Sequence, residues 1–132
     1  STMEFKTDVR YMDTHEWARQ EGNEILVGIS DYAQSTLSDI VYVELPEVGD
    51  ALDKGEMICV VESVKAAGDV YAPMTGEVVA VNETLEDAPE LVNEDPFGEG
   101  WLVRIKPDGM DEWDELLDVD AYKEVVEEEQ AE

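Results

Sequence analysis

The chain of 132 residues carries 35 Asp and Glu against 8 Lys and Arg, a formal net charge of −27, yet 43% of its residues are hydrophobic. That balance excludes nucleic acid, whose phosphates need basic side chains to displace their counterions, and excludes anionic membrane surfaces for the same reason. The length suits one domain with a sizeable core, and no apolar run approaches the roughly 20 residues of a membrane helix.

The hydrophobic residues fall in periodic runs, so the acidity belongs to the surface of a folded unit rather than to a disordered chain. Two origins for it stand open. One is adaptation to high salt, where ~1 M ionic strength shortens the Debye length to about 3 Å and mutes self-repulsion. The other is an acidic docking surface for basic partners. Ser1 and Thr2, ahead of Met3, read as a tag remnant, leaving residues 3–132 as one expected domain.

In chain order, Val9, Tyr11 and Trp17 suggest one or two early strands, and Ile25-Leu26-Val27-Gly28-Ile29 a further one after the turn residues Glu21-Gly22-Asn23. Asp31 to Leu37 starts a short helix that Ser30 or Asp31 can cap. Val41, Val43 and Leu45 alternate with Tyr42 and Glu44, as in a half-buried strand. Met57 to Glu62 reads as a strand, Asp69-Val70-Tyr71 as its return, and Gly76 to Val81 as another beyond the Pro73-Met74-Thr75 turn. Cys59, the single cysteine, sits in the buried-strand pattern Met57-Ile58-Cys59-Val60-Val61. It is expected to be a core side chain, and a lone cysteine fits a reducing cytoplasm or organelle matrix, the cytoplasm being the expected location.

Residues 82–100 are broken by Pro89, Asn93, Pro96, Gly98 and Gly100, with room for a helical turn at Pro89-Glu90-Leu91-Val92. Trp101 to Lys106 restores a strand before Pro107. From about residue 108 the period becomes helical: Met110, Trp113, Leu116 and Leu117, then Tyr122, Val125 and Val126, with Asp118 or Asp120 as caps. The closing Glu127-Glu128-Glu129 run reads as a solvated helix end, not a metal site. His15 is the only histidine, so zinc and triad chemistry lack their partners and no catalytic or metal-binding set emerges. A structural role, with Trp17 packing nearby, is expected of His15.

The informative segment is Val60-Val61-Glu62-Ser63-Val64-Lys65-Ala66-Ala67-Gly68-Asp69-Val70-Tyr71. Lys65, one of five lysines, falls at the bend between two apolar strands with small residues around it. A Schiff-base lysine must be neutral, which takes burial or nearby cations. Glu62, Asp69 and an exposed turn favour ammonium instead, so the residue is a poor catalyst but an accessible acceptor.

Glu62-Ser63-Val64-Lys65-Ala66-Ala67, with Pro46-Glu47-Val48-Gly49-Asp50 upstream and Gly76-Glu77-Val78 downstream, resembles the lipoyl-attachment region of the glycine cleavage H-protein family. Thr14-His15-Glu16-Trp17, Val27 to Gln34, Val41 to Pro46 and Gly100 to Lys106 match other family stretches in the right order. Gly68, where many members have Ser, and Tyr32, where some have His, depart from the pattern. The resemblance implies a mainly β barrel-sandwich hybrid with short helices and a helical C-terminal cap. It implies lipoate joined by an amide to Lys65, with Glu62, Ser63, Val64 and Ala66 as the recognition hairpin.

It implies further that Glu16, Tyr32 and Asp69 lie near a groove into which the loaded arm folds; ordinary surface, turn or packing roles are the alternative for each. The implied partners are a PLP-dependent glycine decarboxylase, a tetrahydrofolate-dependent aminomethyltransferase, a FAD-dependent dihydrolipoyl dehydrogenase and a lipoate-attaching enzyme. They would meet a monomeric carrier that performs no bond chemistry itself. A biotinyl or lipoyl domain of another complex shares the hairpin, but Val64 and Ala66 replace the methionines of biotin acceptors. An H-like lipoate relay and an unmodified acidic adaptor remain as alternatives.

Overall fold

The computed structural model describes residues 2–132; position 1 of the expected tag remnant lies outside the described residues. Apolar runs, some alternating with polar residues and some continuous, form nine strands among the described residues: β1 (Arg10–Tyr11), β2 (Glu16–Glu21), β3 (Glu24–Ile29), β4 (Ile40–Glu44), β5 (Ala51–Leu52), β6 (Met57–Ser63), β7 (Ala67–Tyr71), β8 (Gly76–Val81) and β9 (Val103–Pro107). Helix α1 (Asp31–Leu37) lies between β3 and β4, α2 (Leu91–Glu94) between β8 and β9, and α3 (Val119–Ala131) closes the chain, with 3₁₀ turns at Glu83–Glu86 and Asp111–Glu115.

All pairings are antiparallel and form two sheets, one of six strands in the order β1-β2-β3-β9-β8-β5 and one of three in the order β4-β6-β7. Their inner faces enclose a core that includes Val27, Ile29, Val43, Val61, Val70 and Ile105. A second cluster, built from Tyr11, Trp17, Phe97, Tyr122 and Val126, packs α3 against the outer side of β1 to β3. The expected architecture is therefore present: antiparallel sheets with short helices and a C-terminal helical cap. No helix among the described residues is long and apolar enough to cross a membrane.

Three local features follow from the sequence directly. Ser30 caps α1, its hydroxyl accepting from the Ala33 amide at 3.2 Å, and Asp118 caps α3 by accepting from the Ala121 amide at 2.9 Å. Gly28 is required where it stands, because a Cβ there would lie 2.6 Å from the Trp17 indole. Cys59 is buried, and burial pushes its thiol up to about 12, so it is inert as a nucleophile.

One expected pattern fails. Val41 was to alternate inward with Val43, but the register shifts between Ile40 and Tyr42, and Val41 and Tyr42 both face out at 54% and 53% exposure. Ile40 takes the inward place instead. A bulge puts two residues of one strand opposite one of its partner, and a strict period of two cannot anticipate it.

Candidate functional site

Strands β6 and β7 meet in a hairpin whose tip is Ser63-Val64-Lys65-Ala66. The Ser63 hydroxyl organises it: its oxygen accepts from the Lys65 amide at 3.1 Å and the Ala66 amide at 2.9 Å, while the Ser63 amide donates to the Ala66 carbonyl at 2.7 Å. This is the local turn chemistry in which a serine side chain substitutes for backbone partners. Val64, Lys65 and Ala66 are exposed, Val64 at 70%, and Glu62 is half-buried in the strand below, opposite Tyr42 and Ala67.

The tip does not stand free of the rest of the molecule. The Val64 amide donates to the Asp39 carbonyl at 3.0 Å, and Lys65 Nζ donates to the Thr36 carbonyl at 3.0 Å, at the last turn of α1. A cation there is favoured by the partial negative charge of the helix end. Asn93 fixes the segment on which the tip rests. Its Nδ2 donates to Gln34 Oε1 and to the Ser38 carbonyl, both at 2.9 Å, and its Oδ1 accepts from the Ile40 amide at 2.8 Å. Read only as a breaker in an irregular stretch, Asn93 gave no sign of this in sequence, since all three partners lie more than fifty positions away.

Beside Thr36 opens a cleft of about 160 Å³ between the start of β2, helix α1 and strand β7. Ile29, Ala33, Leu37 and Val70 give it apolar walls, and Glu16 and Asp69 supply carboxylates. Gly68 lines it opposite Leu37, where a Cβ would come within 3.3 Å of the leucine methyls. Asp69 is exposed at the rim. Glu16 is only 1% exposed; its carboxylate accepts from the Thr14 hydroxyl and, at 2.7 Å, from the Tyr71 amide, so it ties the six-stranded sheet to the three-stranded one. Burial nevertheless dominates and pushes the Glu16 carboxyl up to about 7, with the two hydrogen bonds opposing it.

Tyr32 lies half-buried on α1 with its ring 4.9 Å from that of His15, and it is His15 that lines the cleft. The structure thus brings Glu16 and Asp69 to one cleft, places Tyr32 one residue behind it, and sets Lys65 at its edge through Thr36. Thr14, His15, Thr36, Leu37 and Gly68 also line it, and sequence periodicity singled out none of them as lining residues. The solvated end expected for Glu127-Glu128-Glu129 needs one correction: Glu129 reaches back to His15 Nε2 at 2.7 Å. The ring neighbours of His15 are Tyr32 and Tyr122, while the Trp17 indole packs by Phe97.

The family model described as Glycine cleavage H-protein matches residues 9–129. The chain is 59% identical over 127 residues to a glycine cleavage system H protein of Thermus thermophilus, covering 96% of this chain and 99% of that one. It is 60% identical over 124 residues to that of Alteromonas mediterranea, covering 93% and 96%. Among solved structures, a glycine cleavage system H protein from Mycobacterium marinum superimposes with a TM-score of 0.82 at 36% identity, over 90% of this chain and 96% of that one. With the hairpin, the cleft and both sheets inside the matched span, the chain belongs to the glycine cleavage H-protein family.

Proposed function

We propose that this protein is the lipoyl carrier of a glycine cleavage system, with Lys65 as the attachment residue, and that residues 3–132 work as one monomeric unit in the cytoplasm. The observation that carries the reading is the placement of the Lys65 amine: at an exposed tip among small side chains, yet within hydrogen-bond reach of Thr36 at the mouth of a cleft. An acceptor must be reached by a modifying enzyme, and a carrier must also have somewhere to rest its cargo. Both requirements meet here.

The residues suit the group. Its aliphatic chain matches the walls formed by Ile29, Ala33, Leu37 and Val70, and a cationic amine at its end matches Glu16 and Asp69. When bound, lipoate supplies a dithiolane able to carry the aminomethyl unit of glycine from a PLP-dependent decarboxylase to a tetrahydrofolate-dependent aminomethyltransferase, and to be reoxidised by a FAD-dependent dehydrogenase. The chain's own part is to present Lys65 to the lipoate-attaching enzyme through the tip formed by Glu62, Ser63, Val64 and Ala66. It also shields the cargo from water in the cleft, and tethers it so that its effective concentration at each partner is high. No bond chemistry is assigned to the protein itself.

The test is mass spectrometry of protein expressed with lipoate and its ligase, wild type against Lys65→Arg. A lipoyl mass on the Lys65 peptide that vanishes in the variant is expected; attachment at another lysine overturns the assignment. Lipoylated protein should then support exchange of bicarbonate into glycine with a matching decarboxylase. Failure of exchange with the lipoyl group in place favours a lipoate relay.

A further inference from the structure

His15 is held more tightly than a surface turn requires. Its backbone has φ +84°, a region uncommon for residues with a side chain, and its side chain is 14% exposed. Nδ1 lies 2.8 Å from the Tyr122 hydroxyl and Nε2 2.7 Å from the Glu129 carboxylate. Tyr122 and Glu129 belong to α3, seven positions apart and so two turns along one face, with the buried Val126 between them.

The Tyr122 hydroxyl also lies 2.6 Å from Ser30 Oγ, the cap of α1. One directional chain satisfies every atom: Ser30 donates to Tyr122, Tyr122 donates to His15 Nδ1, and His15 Nε2–H donates to Glu129. The Ser30 amide donates in turn to the His15 carbonyl at 2.9 Å. Two walls of the cleft therefore start at one knot, the Thr14-His15-Glu16 segment on one side and α1 on the other, and α3 ties the knot from outside.

We propose that α3 is the positioning element of the cleft: through Tyr122 and Glu129 it holds His15 and the start of α1 at the spacing that retains an arm tethered on Lys65. The arm itself rests on the reading above, but the grip of α3 on the cleft does not. Tyr122 is suited to fastening, since its ring stacks on Tyr11 at 4.0 Å and meets Phe5 edge-on, so the hydroxyl is fixed by packing. Ordinary helix packing would explain Tyr122 and Val126 alone. It leaves unexplained why the exposed end of an acidic helix spends a carboxylate on the one histidine of the chain.

The experiment uses the full unlipoylated chain, two variants and a control variant. Tyr122→Phe keeps the stack and removes the hydroxyl; Glu129→Ala changes a position exposed enough that folding is not at stake; Glu128→Ala, its exposed neighbour, is the control. Amide hydrogen exchange should quicken about tenfold at 30–37 and 69–71 in Tyr122→Phe, the ratio given by one ordinary hydrogen bond, and less in Glu129→Ala. The tip at 63–66 and the β8–β9 pairing should be unchanged. Exchange at the cleft equal to wild type, or raised uniformly over the molecule, overturns the proposal.

A second readout takes lipoylated protein charged with the aminomethyl group and follows formaldehyde release. Release several-fold faster in Tyr122→Phe, with Lys65 lipoylation at the wild-type rate, supports the proposal; equal release in variant and wild type overturns its part concerning the arm. Wild-type release as fast as from free aminomethyl dihydrolipoamide would instead sink the cleft as a resting place, and the exchange result would still decide whether α3 sets the cleft.

Discussion

The hairpin tip and the cleft lie side by side and are built on opposite principles. At the tip, Ser63 satisfies amides two and three positions away, and the side chains at 64–66 face solvent. In the cleft, apart from the local bond from Thr14 to Glu16, the anchoring contacts are distant in sequence: Glu16 to Tyr71, His15 to Tyr122 and Glu129, Ser30 to Tyr122. A modification site must be local and accessible, because an enzyme has to read it without unfolding anything. A sheltering cleft must be global, because only packing from several elements can exclude water.

The largest break in that comparison comes from Glu16, the costly group of the cleft. Its carboxyl is raised by burial from 4.5 to about 7. A group protonated more readily in the folded state contributes fully below its unfolded value, and the contribution is lost as pH rises through the folded one. Across that window wild type loses roughly 3 kcal/mol relative to a neutral side chain of the same shape. Glu16→Gln keeps an acceptor for the Tyr71 amide, and its Nε2 reverses the other bond by donating to the Thr14 hydroxyl that donates in wild type. It should match wild type near pH 4.5 and exceed it by roughly 3 kcal/mol at pH 8 in urea unfolding at fixed high salt. Subtracting wild type cancels the repulsion among the other acids, and a flat difference across pH would place the carboxylate in a far wetter setting than its burial indicates.

The same contrast explains what the sequence made legible. Strand periodicity, the Ser30 and Asp118 caps and the Lys65 bend are local signals, and each appears in the structure where its residues put it. The bulge that turns Val41 outward is not periodic, and the two-residue strand β5 is too short to have a period. Among the cleft residues, Glu16 and Asp69 came only through family resemblance, since nothing in the order Thr14-His15-Glu16 says that a carboxylate will cross to the other sheet. Glu129 was hidden for the same reason: in a run of three glutamates, only the phase set by Tyr122 and Val126 singles it out.

At the tip, the corresponding break is Ser63→Ala. It removes the acceptor of two amides in an exposed turn where water can replace it, so the stability cost is about 1 kcal/mol or less. The effect on modification should be the larger one. A looser tip presents Lys65 in more conformations, and the lipoate-attaching enzyme is expected to show a KM raised several-fold with kcat nearly unchanged. An unchanged KM would mean that the enzyme remoulds the tip on binding, and that the Ser63 turn serves the hairpin rather than the reader.

Gly68 marks the border between the two regions, two residues below the tip and on the cleft wall, and substituting it has the smallest expected effect. A Cβ there approaches the Leu37 methyls at 3.3 Å, close enough that Leu37 must yield by a few tenths of an ångström. Leu37 is half-buried at the end of α1 and packs against the main core, so the cost of the new methyl is set by how far this side chain can shift. Gly68→Ala also removes chain entropy from the unfolded state, worth about 0.4–1 kcal/mol where the backbone is compatible. The two terms oppose each other, so the net change in unfolding free energy should lie between zero and a gain of about 1 kcal/mol. Leu37 methyl resonances should shift while the Lys65 lipoylation rate stays at the wild-type value. A loss of stability would show that Leu37 cannot move, which makes the α1 wall as rigid as the knot at His15; a slower lipoylation would show that the border between tip and cleft lies below Gly68 and not above it.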